Sequence, residues 1–238
     1  MSEHTVKAFT DELDGLVSTV SRMGGMAEKA VISSVRAVSK RDSVLAAEVI
    51  AGDPDIDELQ REIEKRIMRL LALRHPMAKD LRQTIAALKL AADIERIGDL
   101  AKNIAKRAIT IMDHDPLPLT KSINTMGKLA CAQLKQVLDA YNSHHIGNAI
   151  SVWNQDEELD DHYASLFREL LTYMMEDPRK IGPATHLLFI AKNIERIGDH
   201  CTNMAEIVHF LETGEELAGE RPKGEALGPL PTNPNEDD

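Results

Sequence analysis

Residues 93–103 read Asp-Ile-Glu-Arg-Ile-Gly-Asp-Leu-Ala-Lys-Asn, and residues 193–203 read Asn-Ile-Glu-Arg-Ile-Gly-Asp-His-Cys-Thr-Asn. Glu95, Asp99 and Asn103, and again Glu195, Asp199 and Asn203, recur at every fourth position. On a helix such residues lie about 40° apart round the axis and one turn apart along it, so each copy projects a column of oxygen donors. A second acidic pair at the same spacing precedes each copy: Asp53 and Asp57, then Asp156 and Asp160. Crowded carboxylates repel one another unless a cation sits among them, and hard divalent or trivalent metals take oxygen ligands. The chemistry expected is metal binding, one site per copy. Any single acid is better explained by a solvated face paired with Arg96, Arg196 or Lys102. Two level pairs occurring twice favour the metal.

Helices must bring these residues together. A turn near residue 75 brings Asp57 level with residue 93 and Asp53 level with residue 97. A turn near 179 brings Asp160 level with 198 and Asp156 level with 202. At 100° per residue Glu95 and Asp99 oppose Ile97 and Ala101, and Asp57 opposes Leu59 and Ile63, which places the clusters on the bundle surface. Apolar periodicity predicts helices over 5–40, 42–74, 77–113, 120–142, 145–176 and 183–212. Gly24 and Gly25 interrupt the first, and the return of glycine at 127 suggests a place where another helix packs close. Asp42 is an N-cap, His75-Pro76 forces a turn, and Pro54 either kinks its helix or starts a new one.

The repeat extends beyond the motif. Met23-Gly24 matches Met126-Gly127, Asp53 matches Asp156 and Asp57 matches Asp160, all at an offset of 103, against 100 for the motif. The expected architecture is all-α: two tandem, sequence-related three-helix bundles over 1–114 and 115–214, then a disordered acidic tail over 215–238. Composition agrees, with 43% hydrophobic but only 3% aromatic residues, few of which alternate as strands require.

The formal charge of −11, to which the tail contributes −5 through seven acids against Arg221 and Lys223, makes nucleic acid an unsuitable partner. Cys131 and Cys201 occupy non-equivalent places in the repeat and belong to no spaced cluster, which argues against a disulfide framework or a zinc site. No apolar run approaches the roughly 18–20 residues of a membrane span, and the start carries no signal pattern. A soluble cytoplasmic protein without direct membrane insertion is expected.

Other candidates are weaker. Glu206-Ile-Val-His209 has the Glu-x-x-His spacing of di-iron bundles, but that site needs two such motifs, and a helix-end pair is preferred. His200 points away from Asp199, which suits packing better than ligation. Neither a phosphate-cradling glycine loop nor His-Glu-x-x-His nor Gly-x-Ser-x-Gly occurs. No catalytic residue is assigned. The alternative reading is a metal-dependent hydrolase or oxidase using the surface carboxylates.

The two Glu-Arg-Ile-Gly-Asp segments, each preceded by Asp-x-x-x-Asp, resemble the PhoU family over about residues 4–212, with Met23-Gly24, Asp80-Leu-Arg82 and Ala191-Lys192 included. The resemblance implies two three-helix bundles, frequently a homodimer, with multinuclear metal sites on Asp53, Asp57, Glu95, Asp99, Asp156, Asp160, Glu195 and Asp199. Iron is the metal it implies first, with manganese, magnesium or zinc as alternatives. Asn103 and Asn203 are added from helical spacing. The resemblance also implies a regulator that represses the phosphate-starvation response and restrains phosphate uptake. Such proteins contact the phosphate transporter's ATPase subunit and a sensor histidine kinase.

Overall fold

The computed structural model describes residues 2–219, among which there are seven α-helices, one short 3₁₀ turn and no strand. The first bundle comprises α1 (Ser2–Lys40), α2 (Ser43–Arg74) and α3 (Ala78–Ile111). The second comprises α4 (Thr120–Ser143), α5 (Ile146–Asn154), α6 (Asp156–Glu176) and α7 (Ile181–Thr213). Asp42 caps α2 as expected, its Oδ1 accepting from Leu45 N at 2.9 Å, and His75 closes the helix in the left-handed region. Pro54 neither ends nor restarts α2, which runs through it.

Helix α1 is continuous through Gly24 and Gly25, contrary to the expected interruption. The close packing expected from the return of glycine at 127 is found. A Cβ on Gly24 would stand 2.5 Å from Leu138 Cδ2, and one on Gly127 would stand 2.7 Å from both Cγ atoms of Val35. Val35 and Leu138 are themselves repeat equivalents, so each bundle inserts the same position into the other's glycine. Ser21 Oγ meets Asn142 Oδ1 at 2.5 Å, and the equivalent pair, Ser39 and Asn124, is also hydrogen-bonded. Helices α1 and α4 therefore cross antiparallel about a pseudo-two-fold axis, the geometry of an isologous interface within one chain.

Helices α3 and α7 pack antiparallel in the same way. Asp93 Oδ1 lies 2.8 Å from His200 Nδ1, Arg82 Nε donates to Leu211 O at 3.3 Å, and the Arg107 guanidinium sits 4.2 Å over the Phe189 ring. One continuous hydrophobic core results, with Ile94, Ile97, Ile194 and Ile197 fully buried in it. Between the bundles Leu117 and Leu119 are buried, and Arg41 donates to the carbonyls of Met112 and His114.

The helix expected over 145–176 is two helices, broken at Gln155. The freed Gln155 carbonyl accepts from Gln133 Nε2 at 3.1 Å. Asp156, Glu157 and Glu158 then occupy the first turn of α6, where acids complement the helix dipole. The disorder expected from residue 215 does not begin there. Glu215 is hydrogen-bonded to Thr213 and Leu217 packs against the core, so the chain stays attached; 220–238 lie outside the described residues.

Candidate metal centre

The glycine of each Glu-Arg-Ile-Gly-Asp copy sets how closely its helix meets the neighbour that carries the other acids. A Cβ on Gly98 would come within 3.1 Å of Ile56 Cδ1, and one on Gly198 within 2.6 Å of Leu159 Cδ2. Asp53 precedes Ile56 by three residues and Asp156 precedes Leu159 by three, so each lies about 60° round the helix from the side chain filling the glycine notch. The clusters are consequently not wholly superficial, as the angular argument had them: Asp53 is 7% exposed and Asp156 3%. Asp57, Glu95, Asp99, Asp160, Glu195, Asp199 and Asn203 are half-buried, and Asn103 is exposed at the rim.

In the first cluster Lys102 Nζ lies 2.5 Å from Asp53 Oδ2 and 2.6 Å from Asp99 Oδ1, bridging α2 and α3. Burial opposes the ammonium charge, but the hydrogen bonds to Asp53 and Asp99 outweigh it and hold the lysine above its usual pKa. Arg96 approaches Glu95 and Asp99 at 3.6 Å from the solvent side. Glu95 is raised above the ordinary carboxylate range by burial first, then by the charges of Asp99 and Asp57, with Arg96 opposing. Asp53, Asp57, Glu95 and Asp99 thus form one electrostatic group, as the level-helix argument anticipated.

The second cluster is built on the same frame with different cations. Thr202, the repeat equivalent of Lys102, donates its hydroxyl to Asp156 Oδ1 at 3.0 Å. Lys192, with no charged equivalent at Ala92, reaches Glu195 Oε1 at 2.6 Å and lies 5.2 Å from the Tyr163 ring centre. Glu195 Oε2 is buried without a hydrogen-bond partner. Burial raises the Glu195 pKa, Lys192 opposes this, and the charges of Asp199 and Asp160 add to it.

All-oxygen donors suit a hard cation, and an orphaned buried carboxylate oxygen is a place where one fits. Among the described residues no three His, Cys, Asp or Glu side chains form a group that could hold a metal ion as they are placed. Lys102 was visible in the sequence only as one possible ion-pair partner. The signal that separates it from the other basic residues is its place in the repeat, where its equivalent is threonine.

The remaining candidates have other roles. His200 joins the bundles through Asp93. Glu206 accepts from Trp153 Nε1 at 3.2 Å while His209 Nδ1 lies 3.1 Å from Glu215 O, so they serve separate partners and are not the expected helix-end pair. Cys131 and Cys201 are free thiols, and burial pushes Cys131 up to about 12.

The raised Glu195 carboxyl carries a stability prediction. The folded state holds this proton more tightly than the unfolded chain, so the group's contribution is fully present below its ordinary value of 4.5 and is lost as pH rises through the raised folded value. In chelator-treated protein at neutral pH, Glu195→Gln should therefore increase stability, by about 1 kcal/mol, because burial of the carboxylate with Oε2 unpaired outweighs its ion pair to Lys192. Melting curves across that pH range should show a smaller fall with rising pH in the variant. Equal slopes would mean that Glu195 ionises as freely folded as unfolded.

Fold and site together define a class: a duplicated helical-bundle protein whose halves carry the same carboxylate cluster across a pseudo-two-fold axis. The model of the family described as "PhoU domain" matches residues 20–108 and 123–208. The chain belongs to the PhoU family. It is 56% identical over 228 residues to the phosphate-specific transport system accessory protein PhoU homolog of Caulobacter vibrioides (strain NA1000 / CB15N), covering 95% of this chain and 99% of the relative. It is 35% identical over 217 residues to the phosphate-specific transport system accessory protein PhoU of Escherichia coli (strain K12), covering 91% and 90%. The crystal structure of PhoU from Pseudomonas aeruginosa superposes with a TM-score of 0.85 at 38% identity, over 87% of this chain and all of that one. The phosphate transport system regulatory protein PhoU from Streptococcus pneumoniae gives 0.82 at 31% identity, over 88% and 99%.

Proposed function

We propose that this protein is the regulatory accessory component of a phosphate-specific transport system. In phosphate-replete cells it represses the phosphate-starvation response and restrains uptake, acting as a cytoplasmic adaptor between the transporter's ATPase subunit and a sensor histidine kinase. Membership of the PhoU family, whose model matches residues 20–108 and 123–208, with both Glu-Arg-Ile-Gly-Asp copies in register on α3 and α7, carries the reading. No helix among the described residues is long and apolar enough to cross a membrane, which suits a partner that docks on a transporter.

The carboxylates belong to the same proposal. A bound hard cation, iron by family resemblance or else manganese, magnesium or zinc, would neutralise the acids and tie α2 to α3 or α6 to α7. Asp53, Asp57, Glu95 and Asp99 would hold it in the first half and Asp156, Asp160, Glu195 and Asp199 in the second, with Asn103 and Asn203 as outer donors. A homodimer is part of the proposal. The enzyme alternative loses its extra support, since Glu206 and His209 are engaged elsewhere.

The test is a pull-down from phosphate-replete cells, wild type beside Glu95→Ala/Asp99→Ala/Glu195→Ala/Asp199→Ala, with metal and bound proteins quantified together. Recovery of the ATPase subunit or the kinase with wild type is the expected result. Loss of partner along with metal in the variant would make the carboxylates part of the switch. Absence of both partners from wild type would remove the regulatory reading.

A further inference from the structure

The turn between α2 and α3 runs against the charge of the chain. Residues 65–82 hold six basic side chains, Lys65, Arg66, Arg69, Arg74, Lys79 and Arg82, and one acid, Asp80, in a protein whose formal charge is −11. Large apolar side chains stand out among them: Met68 is 62% exposed, Leu73 64%, Met77 79% and Leu81 40%. Three of the basic groups are engaged within the fold, Arg66 with Glu62, Arg74 with Glu12, and Arg82 with the Leu211 carbonyl. Lys79 is exposed and approaches Glu212 only at 3.8 Å. Lys65 and Arg69 are exposed and in no ion pair among the described residues, Arg69 lying near the Glu12 that Arg74 already holds.

Local stability does not explain Met77. It stands at the N-cap of α3, where Ser, Thr, Asp or Asn would cap the helix, and its side chain makes no cap hydrogen bond. Counted back from the motif, its repeat equivalent is Asp177, which does cap the 3₁₀ turn leading into α7, accepting from Arg179 N at 3.1 Å. On either side of Met77, His75 and Ala78 hold left-handed backbone at φ 48° and 49°, which non-glycine residues resist. The equivalent turn over 168–182 also exposes Leu171, Met175 and Ile181, but there three basic residues are balanced by three acids. Of the two turns, the first alone joins exposed apolar side chains to unbalanced positive charge.

We propose that the α2–α3 turn is a peripheral contact with an anionic lipid surface, in which Leu73 and Met77 enter the interface while Lys65, Arg69 and Lys79 meet lipid phosphates. On α2, Lys65, Met68, Arg69 and Leu73 lie within an arc of about 140°, so charge and apolar surface face the same way. Apolar side chains among basic ones are the pattern of a surface that sits in a headgroup layer. A peptide partner needs a groove on its receptor, whereas a bilayer closes round a projecting turn, and flexible methionine adapts to such a soft partner. The contact is reversible, since no helix among the described residues can span a membrane. It goes beyond the regulatory reading by adding a place: the first bundle would be held by one end at the membrane in which a transporter lies.

The test floats the full chain with vesicles of phosphatidylcholine alone and with vesicles containing roughly one-third phosphatidylglycerol. Wild type should float with the anionic vesicles only, and salt of about 0.5 M should release it. Lys65→Gln/Arg69→Gln/Lys79→Gln should bind roughly a hundredfold more weakly. Leu73→Ser/Met77→Ser should bind roughly tenfold more weakly or worse, and should melt no lower than wild type because serine at 77 supplies the missing cap. Leu171→Ser/Met175→Ser, at the other turn, should bind like wild type. Absence of wild type from the anionic vesicles, or undiminished binding by both variants of the α2–α3 turn, overturns the lipid contact. If wild type ignores vesicles but the turn variants lose the transporter subunit or the kinase in the pull-down, the turn serves a protein instead; if they lose only self-association on a sizing column, it serves a second copy. Either result overturns the proposal. Failure on vesicles leaves the regulatory reading standing, because that reading is decided by the partners wild type recovers from cells.

Discussion

Ile97→Ala should lower stability by about 2–5 kcal/mol and the melting temperature by roughly 10 °C, in a single transition. Ile97 is fully buried on α3, the helix that packs on α1 and α2 in its own bundle and on α7 in the other. Truncation to alanine removes most of a buried side chain and leaves a cavity that rigid neighbouring helices close only in part. Because the core runs without a break across α3 and α7, the loss should reach both bundles. Calorimetry checks this by comparing the calorimetric and van't Hoff enthalpies, which coincide for one cooperative unit. Two separated transitions, with only the first displaced, would instead make 1–114 and 115–214 independent folding units.

Gly127→Ala should destabilise the protein by about 1–3 kcal/mol, the usual range for overpacking a tight contact. The added methyl would stand 2.7 Å from both Cγ atoms of Val35, and 3.2 Å from its Cβ. A helical valine is held in one rotamer, so it cannot swing clear and the helices must separate. The cost should exceed that of Gly24→Ala, which meets the flexible end of Leu138. Val35→Ala should relieve the clash, leaving a double variant more stable than the sum of the single effects by at least about 1 kcal/mol. Strict additivity in denaturant melts would show that α1 and α4 do not approach this closely in solution.

Much of the fold was legible because it is written locally. The period of Leu90, Ile94, Ile97 and Ala101, the cap at Asp42 and the stop at His75-Pro76 depend on near neighbours, and the structure places α2, α3 and α4 within a few residues of expectation. The α5–α6 break was not legible: its equivalent around Pro54 stays helical, and the compensating bond comes from Gln133 on another helix. Gly24 and Gly25 do not interrupt α1, yet the close helix approach suggested by the return of glycine at 127 is there, with Leu138 filling the space at Gly24 and Val35 that at Gly127; which helix makes that approach lies outside any local window.

By itself the sequence determined an all-helical chain, its duplication, and two acid pairs per copy at the same level on adjacent helices. Those properties follow from residue spacing and helix geometry alone. Only the tertiary structure decided that Gly98 and Gly198 draw the helices together, that Asp53 and Asp156 sink below the surface, and that Lys102 rather than Arg96 bridges the acids. Burial and charge pairing depend on the distance and rotation between helices. Those are set by how side chains far apart in the chain fill the space between them.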